Sequence, residues 1–68
     1  MKANNFEAAI DGRQYPENIE MALREYLVNG MSKPLARRSY GVDCKVFDRC
    51  INATRDEDAR LRLAPSVL

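Results

Sequence analysis

Histidine and tryptophan are absent from this 68-residue chain, and cysteine occurs only twice, at Cys44 and Cys50. No paired-cysteine spacing exists, so a metal site of the zinc type is not expected. Both cysteines fall in one predicted helix and point to different faces, so a disulfide between them is not expected either. Two free thiols suit a reducing cytoplasm. Long apolar runs are also missing. Nothing approaches the roughly 20 residues that span a bilayer, and the N-terminus lacks a secretory apolar region. The expectation is a soluble cytoplasmic protein with no membrane partner. Ten carboxylates without histidine or a glycine-rich phosphate loop make no catalytic constellation, so an enzyme, a cofactor and a small-molecule ligand are not expected. The length allows one domain, residues 1–68, and a chain of this size buries only about 60% of its unfolded surface. There are no repeats and no low-complexity segments.

What is present is helical patterning. Asn4 followed by Glu7 resembles a capping box that opens a short helix through Phe6, Ala9 and Ile10, with Gly12 closing it. Residues 13–16 read as a polar connection, with Tyr15 pushed toward extended geometry by Pro16. The clearest period follows. Ile19, Ala22, Leu23, Tyr26 and Leu27 recur at i, i+3, i+4, i+7 and i+8, with Glu20, Arg24 and Glu25 outside. Asn29 and Gly30 end this segment. It reads as a scaffold for what comes next, and Tyr26 as one of its core residues.

Residues 33–52, KPLARRSYGVDCKVFDRCIN, hold two helical patterns meeting at Tyr40, Gly41, Val42 and Asp43. That punctuation suits a helix-turn-helix, whose second helix lies in a DNA major groove. Ser32 is a candidate N-cap, and Pro34 is tolerated in the opening turn. Gly41 supplies the positive φ at which the first helix stops, and Asp43 caps the second. Ala36, Tyr40, Val42, Phe47 and Cys50 fall at the inward positions. A generic three-helix core is the competing reading of the same pattern.

Charge distribution separates these segments. Residues 1–30 carry Lys2, Arg13 and Arg24 against Glu7, Asp11, Glu17, Glu20 and Glu25, a net of −2. Residues 31–50 carry Lys33, Arg37, Arg38, Lys45 and Arg49 against Asp43 and Asp48, a net of +3. Positive charge concentrates on the helix-turn-helix candidate, the modest footprint of a groove reader. An ordinary solvated charged face is the alternative.

With Phe47 and Cys50 inward, helix geometry places Cys44, Lys45, Asp48, Arg49 and Asn52 on the outward face of a recognition helix at 44–53, with Asp43 at its start. These six are the candidate base contacts. Lys45 and Arg49 suit guanine O6 and N7, and Asn52 suits adenine. Asp48 suits cytosine, or holds Arg49 or Lys45 in place. Ser32, Lys33, Arg37 and Arg38, at and after the start of the preceding helix, are the candidate phosphate contacts. The alternative is that Lys45, Asp48 and Arg49 form solvated i,i+3 and i,i+4 pairs. Cys50 reads as a small core residue and Cys44 as an exposed thiol near a helix N-terminus.

Beyond Asn52 two patterns compete. Thr54 with Glu57 forms another capping-box pattern, favouring a new helix from about Arg55. Ala59, Leu61 and Leu63 alternate with Arg60 and Arg62, a strand-like period whose partner strand would come from a second molecule. The helix is preferred, because the chain holds no partner strand. Residues 56–68 read as a core-covering or oligomerisation segment, with Leu61, Leu63, Val67 and Leu68 too apolar for a free tail.

The block IEMALREYLVNGMSKPLARRSYGV at 19–42, continuing to Phe47, resembles the PapB-type regulators of fimbrial adhesin operons. The matching residues are Ala22, the run Tyr26, Leu27 and Val28, then Gly30, Ser32, Tyr40 and Phe47. Arg62, Leu63, Ala64 and Pro65 resemble the segment after that family's recognition helix. FEAAIDG at 6–12 is similar to the KorA plasmid repressors of the TrfB type. The resemblance implies a helical transcriptional regulator that binds double-stranded DNA as a homodimer or higher homo-oligomer. Three departures stand out. Arg37 occupies a position where such motifs hold a small residue. Cys44 and Lys45 replace polar residues before Phe47, which implies a different operator. The chain also ends soon after Pro65, without the separate C-terminal dimerisation region of KorA proteins.

The reading is an all-α, small helix-turn-helix domain of four to five short helices. Its expected function is a sequence-preferring DNA-binding regulator, a repressor or autoregulator of a plasmid, phage or fimbrial operon. The alternative is a small interaction module that keeps this scaffold but binds a host regulator or other protein, with the acidic 1–30 segment as a contact face.

Overall fold

A computed structural model describes residues 1–63 of the chain, and the side chains of residues 1–62. They form four α-helices: α1 (Ala3–Ile10), α2 (Glu17–Leu27), α3 (Lys33–Ser39) and α4 (Cys44–Leu63). No strand occurs among the described residues. The domain is all-α and small, with α4 packed mainly on α1 and α3 on α2.

The core follows from the apolar stripes. Phe6 and Ile10 of α1 cluster with Ala22, Leu23 and Leu27 of α2 and with Ala36, Val42, Phe47 and Ile51, and Ala9 is buried as well. Phe6, Leu23 and Phe47 are fully buried. Tyr15, Ile19, Tyr26, Tyr40 and Cys50 pack half-buried around them. The Tyr26 and Phe47 rings sit 6.1 Å apart at 60°, a tilted pair joining α2 to α4.

Two turns work as the residue types require. Gly30 after α2 and Gly41 after α3 adopt positive φ, 82° and 63°, where a Cβ would be strained. At Gly41 the N–H of Val42 bonds the Arg37 carbonyl at 3.0 Å, and the N–H of Gly41 the Arg38 carbonyl at 3.4 Å. This is a Schellman ending, which fixes where α4 can begin.

Two helix boundaries differ from the sequence reading. Asn4 does not cap α1. The helix starts at Ala3 behind Lys2, with no side-chain cap, and Glu7 turns instead to Arg24 at 2.6 Å. The second difference is larger. No new helix opens at Arg55 and no strand forms at 59–63, because α4 runs unbroken through both. Thr54 is fully buried in mid-helix, and its hydroxyl donates to the Cys50 carbonyl one turn back at 2.7 Å. It is therefore an interior threonine bonded to its own helix, not a cap. The inward face of α4 runs Phe47, Ile51, Thr54 and Asp58, an i, i+4, i+7, i+11 series. Ile51, absent from the sequence-based core, takes the central place beside the half-buried Cys50.

Candidate nucleic-acid interface

The segment 32–52 is held from beneath by α2. Asn18 donates to the Tyr40 carbonyl at 3.3 Å, and the Tyr40 hydroxyl reaches a Glu25 carboxylate oxygen at 3.5 Å. Tyr40 is thus fastened to α2 at two points, immediately before the turn that leads into α4. Ser32 occupies the N-cap position of α3 with extended backbone, although its hydroxyl makes no capping bond. Pro34 sits in the first turn, where its missing N–H costs nothing. Asp43 is a true cap. One of its carboxylate oxygens accepts from the N–H groups of Lys45 and Val46 at 3.1 and 3.2 Å.

Beyond that cap the helical repeat carries Lys45, Asp48, Arg49 and Asn52 along one face of α4, opposite the buried Phe47 and Ile51. Cys44, Lys45, Arg49 and Asn52 are exposed, and Asp48 is half-buried. Five of the six candidate base contacts lie within the first three turns of α4, Cys44 off the Lys45 face, and Asp43 sits just before the helix. Asp43 is occupied by its cap.

The candidate phosphate contacts divide. Ser32 and Arg38 are exposed. Arg37 is half-buried, and its guanidinium donates to the Val42 carbonyl at 3.4 Å. The long side chain therefore folds back over the turn. Lys33 pairs with Asp48 across the gap between α3 and α4. The Asp48 carboxylate, by hydrogen bonding first and charge attraction as well, raises the Lys33 ammonium above the usual lysine range. Asp48 accordingly holds neither Lys45 nor Arg49, and the i,i+3 and i,i+4 pairs considered for this face do not form.

Elsewhere most positive charge is compensated. Arg13 pairs with Glu57, Arg24 with Glu7 and Glu20, Arg60 with Glu57, and Arg62 with Asp58. Arg37, Arg38, Lys45 and Arg49 have no acidic partner among the described residues. Outside the 31–50 segment, among the described residues, this holds for Lys2, for the N-terminal ammonium, which donates to the Leu27 carbonyl at 2.9 Å, and for Arg55, whose guanidinium lies over the Tyr26 ring and reaches its hydroxyl.

The two thiols differ in environment. Cys44 is exposed at the first position of α4, whereas Cys50 is half-buried. Burial pushes the Cys50 thiol above the ordinary range, with the charges of Arg49 and Arg13 opposing. Of the apolar residues assigned to oligomerisation, Leu61 is exposed near the far end of α4. The side chain of Leu63, with Val67 and Leu68, lies outside the described residues. No helix among the described residues is long and apolar enough to cross a membrane.

Sequence reasoning missed the tertiary partners Lys33–Asp48 and Tyr15–Thr54, and it missed Asp58 as a buried acid held by Arg62 at 2.8 Å. Extending the Phe47 stripe at helical spacing would have found Ile51, Thr54 and Asp58. No local signal marks Lys33 as the partner of Asp48. Comparison of the chain with known protein families, curated proteins and solved structures finds no match.

Proposed function

We propose that the chain is a sequence-preferring DNA-binding transcriptional regulator, a repressor or autoregulator, with α3, the turn and the first half of α4 as its helix-turn-helix. The observation that carries this reading is the exposed α4 face of Lys45, Arg49 and Asn52, whose two cations lack acidic partners while most of those outside 31–50 are paired. Arginine and lysine donate to guanine, and asparagine pairs with adenine, through a groove that admits one helix. Arg38 and Ser32 supply phosphate contacts, joined by Lys33 and Arg37 once their present partners are exchanged. The two free thiols suit a cytoplasmic site of action.

Homodimeric or higher-order binding is part of the proposal. Leu61 follows Arg49 by about 18 Å along the helix axis at 1.5 Å per residue, so self-association at the end of α4 leaves the reading face free. Selection from random duplexes, followed by gel shift at increasing salt, tests the function. Salt-sensitive binding with a preferred sequence is the expected result; its absence at concentrations that permit dimers rejects the reading.

One observation favours the competing interaction module. Leu35 on α3 is 51% exposed, and Met21 on α2 is 40% exposed. A stoichiometric protein partner whose binding is lost in Leu35→Ser, with no DNA footprint, would establish that module instead.

A further inference from the structure

Resting on the DNA-binding reading of this face, we propose that Asp48 sets DNA affinity through Lys33, acting as an internal carboxylate that a DNA phosphate must displace. Lys33 opens α3 and Asp48 lies in the second turn of α4, so their ion pair bridges the two elements that would straddle the DNA backbone and groove. The side chains are 43% and 44% exposed, within reach of an incoming phosphate. Neither residue has a second oppositely charged partner among the described residues. Asp48 had a candidate along its own helix, Lys45 three residues before, and leaves it free.

The consequence is a competition between two anions for one ammonium. A phosphate that takes Lys33 releases Asp48, and the released carboxylate then stands one turn from Lys45, against the same polyanion. Lys33 therefore adds little to binding of arbitrary sequence, and discrimination is left to the α4 face. Asp48 is a positioning residue here, acting through Lys33 and not on a base.

The test measures binding to a random-sequence duplex across a salt series for the full chain, Asp48→Asn, Lys33→Gln and the double variant, each checked for folding by circular dichroism. Asp48→Asn should bind about two- to fivefold more tightly at low salt, the range of a surface ion pair. Its plot of log K against log salt should steepen by about 0.9, one additional phosphate contact. In the Lys33→Gln background the same change should have little effect. An equal gain in both backgrounds would mean that Asp48 merely repels DNA, and overturns the proposal. Weaker binding by Asp48→Asn would make Asp48 a base contact, with the same result. If none of the four proteins binds DNA at low salt, the DNA-binding reading itself fails and this inference falls with it.

Discussion

The Thr54 hydroxyl donates to the Cys50 carbonyl at 2.7 Å, inside an unbroken α4. With its proton so placed, the oxygen is left to accept from the Tyr15 hydroxyl, 3.5 Å away in the α1–α2 connection. Thr54 thereby links the middle of α4 to a loop 39 residues earlier in the chain. Thr54→Val keeps the shape and removes both interactions. It should lower stability by about 1 kcal/mol, read as a lower urea midpoint with an unchanged slope. Helix content should not fall, because no cap is being lost. A drop in helicity would show instead that residues 55–63 depend on Thr54 as a helix start.

The buried pair Phe6 and Phe47 gives a larger effect. Truncating a buried phenylalanine costs about 3–5 kcal/mol, while a domain of this length has a total stability of about 3–10 kcal/mol. Phe47→Ala should therefore lose most of its cooperative unfolding transition by circular dichroism. Ile51→Val, next on the same stripe, should cost only about 0.5–1.5 kcal/mol and retain the fold. If Phe47→Ala unfolded as cooperatively as the parent, the centre of the core would lie elsewhere.

What the sequence made legible was local, and what it hid was tertiary. The α2 stripe, the stops at Gly30 and Gly41, and the Asp43 cap each depend on residues within a few positions of one another, so spacing sufficed. The same logic misread Asn4 with Glu7 and Thr54 with Glu57. In the first, Glu7 finds a better partner in Arg24, whose guanidinium also lies 4.9 Å over the Phe6 ring. In the second, packing against the α1–α2 connection draws Thr54 inward. The candidate interface followed the same rule. Its exposed α4 face was readable from periodicity, but the Lys33–Asp48 pair spans a turn and two helices and leaves no periodic trace.

Asp43 offers a test of the α4 start that is separate from charge. Asp43→Ala removes the acceptor for the Lys45 and Val46 N–H groups and should cost about 1 kcal/mol. Asp43→Asn keeps an oxygen in place and should recover most of that stability. Thermal unfolding of both variants distinguishes the cap from a general charge effect, since both remove the same negative charge. Equal destabilisation would mean that the cap contributes nothing.

The thiols should react in a fixed order. Cys44 is exposed and Cys50 half-buried, so iodoacetamide should label Cys44 first, with mass spectrometry locating the adduct. The reactive species is the thiolate, and burial raises the Cys50 pKa, which lowers its thiolate fraction at any given pH. Its labelling rate should therefore keep rising with pH beyond the range in which an ordinary thiol has fully ionised. Faster labelling of Cys50 than of Cys44 at neutral pH would contradict the burial difference.

Arg49 and Arg38 carry the division of labour proposed for the interface, since neither is engaged by an acid and both are exposed. Arg49 lies on the α4 face, where a bidentate contact to guanine is worth about 1–3 kcal/mol of discrimination. Arg49→Ala should therefore flatten the preferred sequence at one position while leaving binding to random duplexes nearly intact. Arg38 lies near the end of α3, the helix assigned to the phosphate backbone in the proposed function. Arg38→Ala should weaken every sequence alike and reduce the salt slope by about one phosphate contact. Parallel selections with both variants decide the matter. Identical losses of sequence preference would mean that base reading is not confined to α4, and the helix-turn-helix assignment would then have to be redrawn around both helices.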